Sequence, residues 1–229
     1  MTTPNPSLAA RAWRRLLGFI PLLAVLIFLP AGTLDYWQGW VYLGLFDACC
    51  ALITASLLKH DPALVARRLE VGPTAEREPA QKRILWIAML CLCGLYIVSG
   101  LDYGQAWSFV PTSVVLIGEL FIVLGFAVIY RVFRENSFAA ATVTVAADQR
   151  VISTGPYARI RHPMYAGALV LFLGTPLALG SWWGLAVFIP SVGILVARLR
   201  EEEQFLLRNL PGYGDYCRRV RFRLVPGLW

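Results

Sequence analysis

Six stretches of the chain carry no lysine or arginine and are dominated by apolar side chains: about 16–34, 37–58, 84–101, 110–130, 165–179 and 185–197. About twenty such residues in a helix, at about 1.5 Å rise each, cross a hydrocarbon layer about 30 Å thick. The first four runs are long enough to span singly. The last two are shorter and joined only by Gly180-Ser181-Trp182-Trp183-Gly184, which predicts a helical hairpin that crosses and returns. The expected fold is therefore all-α: a polytopic membrane bundle of four spans plus a C-terminal transmembrane hairpin.

The cations fix how these runs thread. With the spans so drawn, all 21 lysines and arginines fall on one side: the N-terminal arm, the 59–83 loop, the 131–161 segment and the tail from Arg198. The opposite loops, near Asp35, Asp102 and Ser181, have none. This asymmetry predicts a multi-pass protein with both termini and the 131–161 segment in the cytoplasm. It also explains the net charge of +7 without nucleic acid, because the basic residues punctuate apolar runs in a chain that is 58% hydrophobic and only 15% charged. The partner implied is a lipid bilayer.

Smaller features fit the same frame. The first run, with Pro21 and Pro30, is long enough to be a retained span rather than a leader, and residues 1–10 read as a frayed tail before it. The 59–83 loop contains an amphipathic piece over 63–69, expected at the interface. Asp47 and Glu119 lie inside spans, where each is expected to find a partner within the bundle. Of five cysteines, Cys49, Cys50, Cys91 and Cys93 lie in apolar runs and behave as small hydrophobes; Cys91-x-Cys93 lacks a second ligand pair, so no metal site is expected. Arg218, Arg219, Arg221 and Arg223 are expected to touch anionic headgroups.

Chemistry is expected where polar groups crowd an apolar run. Residues 155–167, Gly-Pro-Tyr-Ala-Arg-Ile-Arg-His-Pro-Met-Tyr-Ala-Gly, do so immediately before the hairpin. The hairpin returns the chain to the same face, bringing Arg198 and Glu202 beside His162 and Tyr165. Arg198 and Glu202 are also four apart on one helix, which alone would be a surface ion pair of little consequence. Their position beside the motif makes a shared site the better reading.

Gly155-Pro156-Tyr157 and Arg161-His162-Pro163-Met164-Tyr165, a hydrophobic hairpin, Glu202-Glu203 and an arginine-rich ending together resemble the isoprenylcysteine carboxyl methyltransferase and phospholipid methyltransferase superfamily. The resemblance covers about 140–226. It implies an S-adenosyl-L-methionine-dependent methyltransferase with its cofactor in a cytoplasmic pocket, and no glycine-rich dinucleotide fingerprint competes with it. By the family pattern the cofactor contacts Gln149, Arg150, Val151, Ile152, Tyr157, His162, Pro163, Met164, Tyr165 and Glu202, while Arg198 is catalytic and faces the acceptor. Residues 1–130 then form an N-terminal transmembrane region and 131–229 the catalytic region.

The acceptor stays open among a lipophilic carboxylate, an amine and a small thiol, with Arg198 favouring an anion. Two other readings compete. One is an NADPH-dependent membrane sterol-type reductase, whose C-terminal region is similar. The other is a non-enzymatic scaffold or transporter using Asp47 and Glu119 as a polar path, for which no inverted repeat is visible.

Overall fold

A computed structural model describes residues 6–72, 74–76, 78–145 and 149–229. Pro73, Arg77 and Asp148, assigned above to polar segments, lie outside the described residues. Among these residues there are eight α-helices, one 3-10 turn and no strand: α1 (Pro6–Ala31), α2 (Trp37–His60), α3 (Pro62–Leu69), α4 (Pro79–Gly104), α5 (Thr112–Glu135), the turn Gly155–Ala158, α6 (Pro163–Ala178), α7 (Trp183–Asn209) and α8 (Tyr213–Arg219). Proline begins α3, α4 and α6, where its missing N–H costs nothing. Asp61 caps α3 by accepting from Leu64 N at 2.9 Å.

Helices α1, α2, α4, α5 and α7 are long and apolar enough to cross a membrane, and the chain is a multi-pass integral membrane protein. Their outward side chains agree: Leu29, Leu52, Leu90 and Ile189 are each about 70% exposed or more, an arrangement suited to hydrocarbon rather than water. Helices satisfy their own backbone hydrogen bonds, as hydrocarbon demands. At 16 residues, α6 is only about 24 Å long.

That short helix is held by a close backbone contact with α5. Gly118 and Gly125 of α5 face Gly174 and Gly167 of α6, each pair spaced by seven residues so that both stay on the seam. A Cβ on Gly118 would lie 2.2 Å from Ala178 N, and one on Gly125 would lie 2.9 Å from Gly167 O. Small residues that let helix backbones touch are the principal means of association where the surrounding lipid is as apolar as leucine. Within the hairpin, α6 lies chiefly along α5 and α7 along α4, because the glycine seam draws α6 to α5.

The lysine-free end is closed by Asp102. This residue is wholly buried inside α4 rather than in a loop. It accepts from Ser108 Oγ at 2.7 Å and 2.8 Å, from Ser181 Oγ at 2.6 Å and from Trp183 N at 3.3 Å. Four donor contacts satisfy its carboxylate without a cation, tying the α6–α7 turn to α4.

Three expectations are corrected. Helix α1 begins at Pro6 rather than near residue 16, because Leu8 and Ala12 bury against Leu64 and Val65 of α3. Both Glu119 carboxylate oxygens are buried without a hydrogen-bond partner among the described residues, as is Asp47 Oδ1; the helices around them present no donor within reach. Arg223 is committed to an ion pair described below and not to lipid. All five cysteines are free thiols.

The seam gives a direct test. Gly118→Ala should lower the thermal midpoint of the purified protein by several degrees, since overpacking a tight contact costs about 1–3 kcal/mol. Gly44→Ala, where a Cβ meets nothing within 4 Å, should leave it unchanged or slightly raised by the better helix propensity of alanine. Equal midpoints for the two variants would show that the seam does not carry the packing.

Candidate functional site

The site begins where α5 ends. Asn136 caps α5, and its side chain both receives Phe138 N at 2.9 Å and donates Nδ2–H to the Tyr157 hydroxyl at 2.9 Å. The following 3-10 turn starts at Gly155, whose φ of +55° suits glycine. A Cβ there would meet Glu135 Oε2 at 2.6 Å, and Glu135 itself accepts from the Thr154 hydroxyl. Tyr157 is thus pinned at its ring tip by α5 and at its carbonyl by Tyr216, whose hydroxyl donates to Tyr157 O at 2.8 Å.

Pro163 then starts α6, and the C-terminal tail lies against the entry to it. Arg161 N and His162 N donate to Phe222 O and Arg223 O, both at 2.9 Å. Helix α7 passes this point and continues for six residues beyond Glu203 to Asn209. The turn at Gly212, φ +81°, then folds α8 back over the motif.

Glu203 is the electrostatic centre of this end. Its Oε1 lies 2.8 Å from Arg161 Nε and 3.2 Å from His162 Nε2, and its Oε2 accepts from Arg223 Nε at 2.7 Å. The Glu203 side chain is 8% exposed. Such a charge is tolerated only when its lone pairs are filled by cations or donors, as they are here. Arg161 also donates to Cys217 O and Val220 O at 3.4 Å, reaching the end of α8. The Arg223 and Arg200 guanidinium carbons lie 5.2 Å and 5.9 Å from the Trp229 ring centroid.

One residue earlier on α7, about 100° around the helix, Glu202 points elsewhere. It accepts from the Tyr165 hydroxyl at 2.5 Å and lines a cavity. The walls of that cavity include Gln149, Arg150, Val151 and Ile152, Tyr157, and His162 to Tyr165. All ten residues named above for the cofactor therefore border a single space. Further walls come from Asn136, Thr142, Arg161, Leu206, Tyr213 and Tyr216. Burial holds the Tyr157 phenol at about 12, despite the Asn136 hydrogen bond that lowers it, and pushes Tyr213 and Tyr216 higher still; these rings stay neutral at ordinary pH.

Arg198 lies one helical turn below, and it does not pair with Glu202. Its guanidinium donates to Gln81 Oε1 at 3.2 Å and to Ala141 O at 3.1 Å, and lies 3.9 Å from Glu76 Oε2. Glu76 is buried and also accepts from Val143 N at 3.1 Å. Arg198 ends a second cavity of about 200 Å³, lined by Leu85, Ala88, Leu92 and Leu95 of α4, Ala168 and Phe172 of α6, and Ser191, Ile194 and Leu195 of α7. Tyr165 borders both cavities.

Sequence reasoning missed Glu76, Gln81 and Tyr216. The buried glutamate sits in a charged loop with nothing local to mark it, and the tyrosine is one of several in the tail. Among the described residues no group of three or more histidine, cysteine, aspartate or glutamate side chains could hold a metal ion.

A helical membrane bundle with a polar cavity at its basic end and an apolar one beneath defines the class. Residues 113–211, somewhat less than half of the chain, match the family described as phospholipid methyltransferase. Two curated relatives align over part of the chain. The Delta(14)-sterol reductase TM7SF2 of Mus musculus is 31% identical over 88 residues, 37% of this chain and 21% of the reductase. The nickel-cobalt-cadmium resistance protein NccN of Alcaligenes xylosoxydans xylosoxydans is 32% identical over 71 residues, 31% of this chain and 33% of that protein. The chain thus aligns with a third or less of each relative's length.

The adjacent glutamates should separate experimentally. Glu203→Ala leaves two arginines and a histidine facing an empty buried position and should destabilise the fold by about 3–5 kcal/mol. Glu202→Ala frees one tyrosine hydroxyl and should cost no more than about 1.5 kcal/mol. Thermal unfolding of both variants decides it; similar losses would remove the distinction.

Proposed function

We propose that this protein is an S-adenosylmethionine-dependent methyltransferase for a lipophilic acceptor, with its site at the cytoplasmic end of the bundle. The observation that carries the reading is the shared wall at Tyr165: a polar cavity of mixed donors, acceptors and aromatic rings on one side, an apolar cavity ending in a guanidinium on the other. Their contents suit the two reactants. Adenosylmethionine needs an acceptor for its ribose or ammonium, donors for its carboxylate and an aromatic surface for its sulfonium or adenine. Glu202, the main chain at 149–152, Arg150, His162, Tyr157 and Tyr165 supply these types.

Methyl transfer is an in-line displacement: a bond forms from the acceptor to the methyl carbon as the carbon–sulfur bond breaks and sulfur leaves as a neutral thioether. No covalent enzyme intermediate is needed, so the task of the protein is to align the reactants and exclude water. Arg198, held by Gln81, Ala141 and Glu76, is oriented to receive an anionic acceptor headgroup while the acyl or prenyl part lies along α4, α6 and α7. The positive-inside pattern supports the cytoplasmic placement.

The similarity to a sterol reductase favours a second reading, reduction of a lipid by a nicotinamide cofactor in the same polar cavity. Isothermal titration separates them: we expect adenosylmethionine to bind and NADPH not to, and the reverse result would establish the reductase reading. Glu202→Ala should abolish adenosylmethionine binding. Arg198→Ala should keep it and lower turnover by roughly 100-fold. Labelled adenosylmethionine supplied with a lipid extract should mark a single product class, whose identification names the acceptor.

A further inference from the structure

A third concavity lies away from both cavities just described, between α2 and α5. It has a volume of about 360 Å³ and is lined by Cys49, Leu52, Ile53 and Ser56 of α2 and by Val123, Phe126, Ala127 and Tyr130 of α5. At about 100° per residue, Val123, Ala127 and Tyr130 lie on the side of α5 away from Gly118 and Gly125, with Phe126 about a quarter turn from these glycines, so the groove opens away from the α6 seam. Nearly all of its surface is apolar.

Its basic end is different. The Ser56 and Tyr130 hydroxyls meet across the groove at 2.8 Å. Four residues further along each helix, and therefore on the same faces, stand His60 and Arg134. His60 Nδ1 is 2.8 Å from Ser56 O, and Arg134 donates to the Tyr130 hydroxyl at 3.4 Å. Lys59 is exposed beside them. The groove is therefore an apolar trough closed by two hydroxyls and headed by an exposed cluster of basic side chains. A second copy of this chain would bring its own cations to the same level, because the lysines and arginines among the described residues gather at this end of the bundle, and like charges would meet.

We propose that the α2–α5 groove is a binding site for one anionic phospholipid, its acyl chain lying along Leu52, Ile53, Val123 and Ala127 and its phosphate on Arg134 and Lys59. The charge complementarity selects an anionic headgroup over a zwitterionic one, and the trough selects a tethered chain over a free anion. Occupancy links α2 to α5, joining the N-terminal helices to the family-matched region, and does not depend on the methyltransferase reading.

The test compares phosphatidylglycerol with phosphatidylcholine of identical chains, added to detergent-purified protein, reading thermal midpoint and lipid retained in native mass spectrometry. We expect phosphatidylglycerol to raise the midpoint by several degrees and to be retained as a single adduct. Lys59→Ala with Arg134→Ala should abolish both effects. Ala127→Trp, which fills the trough and keeps the cations, should abolish them too. Equal responses to the two lipids, an undiminished response in either variant, the same shift with inorganic phosphate, or a dimer that Ala127→Trp dissociates would each overturn the proposal.

Discussion

The backbone contact between α5 and α6 is the constraint on which the remaining geometry rests. Gly118, Gly125, Gly167 and Gly174 allow the two helices to approach until main-chain atoms touch, and the position of α6 follows from that contact. Because α6 begins at Pro163, the contact also places His162 and Tyr165 against α7 rather than at the ends of the neighbouring helices. A bulkier seam would displace α6 laterally and separate Tyr165 from Glu202. The glycines, from Gly167 beside the motif to Gly118 far along α5, therefore act on the site through helix spacing.

The second organising element is one carboxylate. Glu203 gathers Arg161, His162 and Arg223, three donors from two separate parts of the chain. The tail after α8 buries Val220 and Leu224, and its placement over the motif is completed by this ion cluster and by the two main-chain bonds to Phe222 and Arg223. Buried charge networks of this kind contribute less net stability than their Coulomb attraction suggests, because all members are desolvated. Their value lies in excluding other arrangements: a cluster with two guanidiniums and one carboxylate has few alternative registers.

Much of this was legible in the sequence, for physical reasons that differ by level. Spans are written in composition, since hydrocarbon accepts only long apolar helices, and the one-sided cations give their threading. The adjacency of 155–167 with Arg198 and Glu202 followed from chain return alone. Side-chain commitments were less accessible. Glu202 and Glu203 have the same chemistry and differ by one helical step, yet one faces a cavity and the other a cation cluster. Arg223 looked no different from Arg218, Arg219 and Arg221 until Glu203 was in place. Glu119 was expected to have a partner, but pairing inside a bundle depends on the rotation of the facing helices, which no local pattern records. Glu76 acts through a contact 67 residues away in sequence, with Val143, and loop residues carry no periodicity from which to infer it.

Tyr165 separates a cavity reached from the polar end of the bundle from one built among membrane helices. If each takes a reactant, as proposed, the two arrive from different phases. One is counted per volume of water, the other per area of membrane. The rate would then respond to the mole fraction of acceptor in the bilayer rather than to its total amount. Adding inert lipid would slow the reaction by dilution in two dimensions, without altering affinity at either cavity.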